Sequence, residues 1–365
     1  MATKRTPPRA GKIRGHVTEL RNRLDRDRLQ REAAGKEPQS RILEIGDVRG
    51  GYDANRALIT TLGGQRRTLA MPDLARFRAN MATVQARIRK GITAQQVIDL
   101  ASTHALPYSG GKPAGGDLSK AKTEIHVALP VSALAMNGGL ETRWQVDASG
   151  DDPKIKHHYV LVRFLEWGDQ LRHLQATPLD SQEAKAEKAF TPKQAVRALR
   201  AGYLQFDCDC GRHRYYFRFV ASIGGFAAGR IESGYPKIRN PDLQGVACKH
   251  VLRVMREVVS GLFVGNFLER ALNKAMLTGG RVNHTTQQAD ADAQAARLAK
   301  RPAPIKTSAD RKDDSERRKL VRAMKFAAPR TKPMVLSKAK QRQLISIAES
   351  LGLAPAEAMR RLLTP

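Results

Sequence analysis

The residues best suited to chemistry in this 365-residue chain are Cys208, Cys210, Cys248 and His250, and the three cysteines are the only ones it contains. They stand as Cys-x-Cys and, after a spacer running from Gly211 to Ala247, as Cys-x-His. Thiolate sulfur and imidazole nitrogen are the ligands of tetrahedral zinc, and two close pairs from separate segments fill four positions while stapling those segments together. A site filled this way keeps no place for water on the metal, so its expected role is structural, with metal-binding free energy becoming folding free energy. Buried reduced thiols packed as small apolar side chains are the alternative reading, and His213 is a competing ligand. An odd number of thiols in a large chain whose first residues lack an apolar leader argues against disulfides.

Two elements must present these pairs. Tyr203 to Phe206 and Arg214 to Val220 are rich in aromatic and β-branched residues, which predicts a β-hairpin with its turn at Cys210 and Gly211. Val246 to Val259 places Val251, Leu252, Met255, Val258 and Val259 at helical spacing, so His250 falls in the first turns of an amphipathic helix.

With these residues the chain resembles the SWIM-type zinc finger, whose signature is Cys-x-Cys, a variable spacer and Cys-x-His on a ββα unit. The resemblance implies structural Zn2+ held by Cys208, Cys210, Cys248 and His250; the spacer is longer than is usual in that family. The run from Gly234 to Met255, with Pro236-Lys-Ile-Arg-Asn-Pro241 at its core, is similar to zinc-finger-bearing proteins encoded among tailed-bacteriophage structural genes. That likeness implies a virion component working in a larger assembly, in the virion or the host cytoplasm.

Charge is the second signal. The chain holds 64 Lys and Arg against 35 Asp and Glu, a formal net charge of +29, and a field of that sign and size seeks polyanions. Arg5, Arg9, Lys12 and Arg14 lie in a basic N-terminal arm, and Arg317, Arg318, Lys319 and Arg322 lie in a second basic stretch. Both sets are expected to contact nucleic acid or acidic protein subunits. No apolar run is long enough to span a membrane and no signal peptide is evident, so secretion is not expected.

The expected fold class is α+β: a central mixed domain with an embedded ββα zinc-finger unit, basic extended arms and a C-terminal helical hairpin. The divisions are a basic arm over 1–50, a helical segment and Gly/Pro loop over 51–122, and an α+β domain over 123–280 holding the zinc unit at 203–260. A basic linker over 281–335 and the helical hairpin over 336–365 complete the chain. Pro72 to Arg89 predicts a helix with Leu74, Phe77, Met81, Val84 and Ile88 on one face. Thr93 with Gln96, and Thr191 with Pro192, mark two helix starts. Glu124 to Leu129, Thr142 to Val146 and His157 to Trp167 predict strands. No phosphate loop, nucleophile elbow or His-Glu-x-x-His motif is present, so no catalytic residues are assigned and no enzyme is expected. The favoured function is a non-catalytic, zinc-stabilised virion or assembly protein; the alternative is a DNA-binding accessory or regulatory zinc-finger protein.

Overall fold

Alternation of apolar residues builds the centre of the molecule. In the computed structural model, which describes residues 41–88, 91–102, 116–136, 138–149, 155–176, 190–300, 303–327 and 338–350, these alternating stretches form a six-stranded sheet. Strands β1 (Ile59–Thr60) and β2 (Arg67–Thr68) pair separately, followed by helix α1 (Met71–Arg87). Then come β3 (Ile92–Thr93), α2 (Ala94–Asp99), α3 (Asp117–Thr123), β4 (Ala128–Met136), β5 (Gly139–Asp147) and β6 (His157–Phe164). Helices α4 (Trp167–Ala176) and α5 (Pro192–Ala201) precede β7 (Tyr203–Cys208). A π-helical turn over His213–Phe217 runs into α6 (Arg218–Ile223); α7 (Lys249–Ser260), α8 (Leu262–Leu277), β8 (Asn283–Thr285) and α9 (Gln288–Ala299) follow. Helix α10 (Ser308–Ala327) and α11 (Lys338–Ser350) end the described chain.

The sheet order is β3-β7-β6-β5-β4-β8, and every pairing is antiparallel. Period-two alternation sends Trp144, Val146, Val160, Val162, Phe164, Leu204, Phe206 and Cys208 to one buried face, against which α7 packs across β4 to β7. Trp144 is fully buried, and its indole N–H donates to Thr142 Oγ1 at 2.9 Å, which removes the cost of an unpaired donor in the core. Helix α7 has its own apolar face in Val251, Leu252, Val254, Met255 and Val258, all fully buried. It is therefore the axle of the fold, flanked by α2 and α3.

The helix starts follow their residues. Thr93 Oγ1 accepts the Gln96 amide while the Gln96 side chain accepts the Thr93 amide, and Thr191 with Gln194 repeats the arrangement. In α1 the predicted face of Leu74, Phe77, Met81 and Val84 is buried, with Ile88 just beyond its end. Its Asp73 carboxylate reaches back to the Ala70 amide at 2.8 Å and takes both ends of the Arg67 guanidinium. The Arg67 bonds outweigh partial burial and hold the Asp73 carboxyl below its ordinary value.

Five expectations need correction or refinement. The strand predicted over Arg214 to Val220 is helical, so the ββα description gives way to strand, helix, long crossing segment and helix. Tyr216, Phe217, Phe219 and Val220 are buried at helical spacing, and packing against the core overrides their β propensity. The strand expected to end at Leu129 instead spans Ala128–Met136, and the one expected to reach Trp167 stops at Phe164, where Trp167 opens α4. Residues 41–50, assigned to the basic arm, join the core through the fully buried Leu43 and Val48, and the Tyr235 amide donates to Leu43 O. The stretch assigned to a basic linker contains the whole of α9 and α10.

Residues 41–308 form one compact unit, and residues from 309 onward belong to a second. In the second, α11 supplies the first helix of the expected C-terminal hairpin, and its other half lies outside the described residues. Arg5, Arg9, Lys12 and Arg14 also lie outside them.

Candidate metal centre

The strand register and two helix starts bring the four predicted ligands together. Strand β7 ends on Cys208, whose side chain follows Leu204 and Phe206 into the buried face. One residue after Asp209 the chain turns, and Cys210 opens the helical stretch by accepting the Arg214 amide on its carbonyl at 3.1 Å. Cys248 is the N-cap of α7 and His250 lies in that helix's first turn. The amide-rich N-terminus of a helix favours negative charge, which at Cys248 works against the burial that raises its thiol.

One ligand atom from each of Cys208, Cys210, Cys248 and His250 lies within 4.8 Å of the others, and all four residues are buried. Tetrahedral coordination at the usual metal–sulfur length sets sulfur atoms roughly 3.8 Å apart, and the cluster is close to that spacing. Cys208 Sγ lies 4.0 Å from His250 Nδ1, and His250 Nε2 is buried with no hydrogen-bond partner among the described residues. The three thiols are reduced. Burial pushes Cys208 and Cys248 well above the ordinary thiol value, whereas hydrogen bonds from Cys208, Cys248 and His250 draw Cys210 well below it. A divalent cation resolves this crowding, because it favours thiolate at every sulfur and takes an imidazole lone pair. The donor set therefore fits a metal ion, and four donors complete a tetrahedron.

Around the ligands lies a layer that sequence reasoning missed. Asp209, between the first two cysteines, accepts the Tyr159 amide at 3.1 Å and meets His158 Nδ1 at 3.0 Å, so the Cys208–Cys210 turn is tied to β6. The His158 ring packs on His250 with centroids 4.4 Å apart. The Asp209 hydrogen bond raises the His158 pKa, with partial burial opposing it. Lys249, between the second ligand pair, donates to Glu124 Oε2 at 2.6 Å and also reaches Ser149 Oγ. Burial alone would raise Glu124, but the Lys249 and Ser149 hydrogen bonds hold its carboxyl below the ordinary value. Both intervening residues thus fix the backbone carrying the ligands. Only the pairing of Val160 with Cys208 brings His158 and Asp209 together, and no local sequence signal encodes that register.

His213 is not a member of the cluster. Its side chain is fully buried, its amide donates to Cys210 Sγ at 3.2 Å, and its Nε2 faces Asp207 Oδ1 at 3.2 Å. Asp207 also binds Arg218 through two hydrogen bonds, at 3.0 and 2.9 Å. The competing ligand of the sequence is instead a fully buried packing residue. His213→Ala should keep the metal-to-protein ratio while lowering stability by about 2 kcal/mol, from the cavity and from Asp207 losing a neighbour. Metal analysis and urea unfolding of the same sample check both halves.

The long spacer is woven into the domain. Tyr235 stacks on Phe77 of α1 at 4.3 Å and donates through its hydroxyl to Pro241 O at 2.8 Å. Asn240, almost fully buried, donates to Tyr216 O and accepts the Gln244 amide. Lys237 donates to Arg41 O at 2.7 Å while its own carbonyl receives Thr60 Oγ1. These bonds hold the crossing segment between β7 and α7 against the first elements of the chain.

The predicted cations on α10 are exposed, and Arg317, Arg318, Lys319 and Arg322 follow an N-terminal half carrying Asp310, Asp313, Asp314 and Glu316. Acid at the start and base toward the end of a helix match its dipole. Among the described residues no helix is long and apolar enough to cross a membrane. No known family model, curated protein or solved structure matches the chain.

Proposed function

We propose that this is a non-catalytic, zinc-stapled protein that binds nucleic acid through its basic segments, in the setting of a tailed-bacteriophage virion or assembly. The observation that carries the structural role is the closure of the cluster: four buried sulfur and nitrogen donors leave a tetrahedral ion no open position for substrate or water. The soft, sulfur-rich donor set of three thiols and one imidazole favours zinc. The ligand order supports a SWIM-type finger, here with a helix in place of the second strand. The net charge of +29 supports a polyanionic partner. The virion setting rests on the likeness of the Gly234 to Met255 run to phage structural proteins.

Titrating the zinc-loaded protein into short generic duplex DNA across a salt series tests the partner. The expected result is a logarithmic affinity that falls linearly with logarithmic salt, with a slope that decreases when residues 1–31 are deleted. Absence of binding at low salt overturns the nucleic-acid role and leaves acidic protein subunits as the partner class.

A further inference from the structure

Away from the metal centre, a cleft of about 350 Å³ opens between α8, α9 and the β4–β8 edge of the sheet. Its volume lies at the small end of ligand pockets. Phe267, Ala271 and Val282 form a buried apolar floor, and Phe263 stands half-buried as a wall. Arg270 and Lys274, one turn apart on α8, bring two cations to one side. Arg270 makes no hydrogen bond or ion pair among the described residues, whereas Lys274 donates to Asn283 O at 3.0 Å. Asp290 and Gln294, one turn apart on α9, bring a carboxylate and an amide. Apolar walls, a cationic side and a hydrogen-bonding side with an acceptor call for a ligand of matching parts: a flat ring, an anionic group and N–H donors.

We propose that this cleft binds a single nucleotide unit, its base against Phe263 and the apolar floor and its phosphate on Arg270 and Lys274. The choice of a nucleotide among ring-bearing anions rests on the nucleic-acid reading above. Base–aromatic stacking tolerates any base, because every base has a π-face. Asp290 adds a preference, since a carboxylate accepts from the amino group of adenine or cytosine and from the amino and imino groups of guanine, whereas uracil offers it a single imino N–H. The Asp290 charge also repels a phosphate entering in the reverse orientation, which fixes the polarity of the bound unit.

The test is calorimetric titration of the full, metal-loaded chain with GMP, AMP, CMP and UMP, and separately with inorganic phosphate. The expected result is binding of the amino-bearing nucleotides in preference to UMP, weakened by about tenfold in Arg270→Ala through loss of a charge-assisted contact. Gln294→Trp, a substitution on a partly exposed helix face, should block the cleft while leaving metal content and melting temperature unchanged. No binding of any nucleotide at about millimolar concentration, equal binding of inorganic phosphate, or indifference to both variants overturns the proposal. These outcomes separate from the duplex titration: a protein that grips duplex with a steep salt slope yet ignores mononucleotides loses only the cleft. A protein that binds mononucleotides but no duplex loses only the role of the basic segments.

Discussion

Cys248→Ser should release the metal and lower the melting temperature by about 10 °C or more. Cys248 joins the end of β7 to the start of α7, and α7 is the helix on which the sheet packs. The serine hydroxyl is a poor zinc ligand but a good N-cap, so the substitution does not itself weaken the helix start. The fall in stability therefore reports the lost coordination, and the remaining buried thiols and His250 Nε2 are left without a cation to compensate them. Metal analysis alongside thermal unfolding checks the prediction. Loss of the metal with an unchanged melting temperature would mean that the site staples nothing.

Arg253→Leu should cost about 3 kcal/mol, the penalty for leaving buried carbonyls without donors. The Arg253 side chain is almost fully buried on α7, and no carboxylate pairs with it among the described residues. Its Nε donates to Ile125 O at 2.7 Å, Nη2 reaches the same oxygen, and Nη1 donates to Ala303 O at 2.6 Å. Burial lowers its pKa, but the guanidinium stays charged at any ordinary pH. These bonds draw residues 303–306 onto the core, where Ile305 is buried, and Asp99 then takes the Ser308 amide at 2.7 Å. Without Arg253 the segment should open, so limited proteolysis near residue 303 should accelerate along with the loss of stability. A variant within about 0.5 kcal/mol of the parent and equally protease-resistant would show that the buried guanidinium holds nothing in place.

The four clustered residues were legible in the sequence because their types are rare in this chain and their spacing is local in pairs. The helix faces of α1 and α7 were legible for a similar reason: each stripe repeats within its own segment. Arg214 to Val220 misled because its composition favours a strand while its burial pattern is helical, and only the neighbouring core decides between them. The outer layer of His158, Asp209, Lys249 and Glu124 was not legible, since strand register and helix packing bring together residues far apart in the chain. Arg253 was equally hidden. Counted as one more cation in a basic chain, it is a donor to two distant carbonyls.

The central claim is a tetrahedral ion on three sulfurs and one nitrogen. X-ray absorption at the zinc edge of protein purified without added metal tests it most directly. The account predicts about one zinc per chain, with a first shell of three sulfurs near about 2.3 Å and one nitrogen near about 2.0 Å. Protein that is fully folded without metal, or a shell dominated by oxygen, would contradict it.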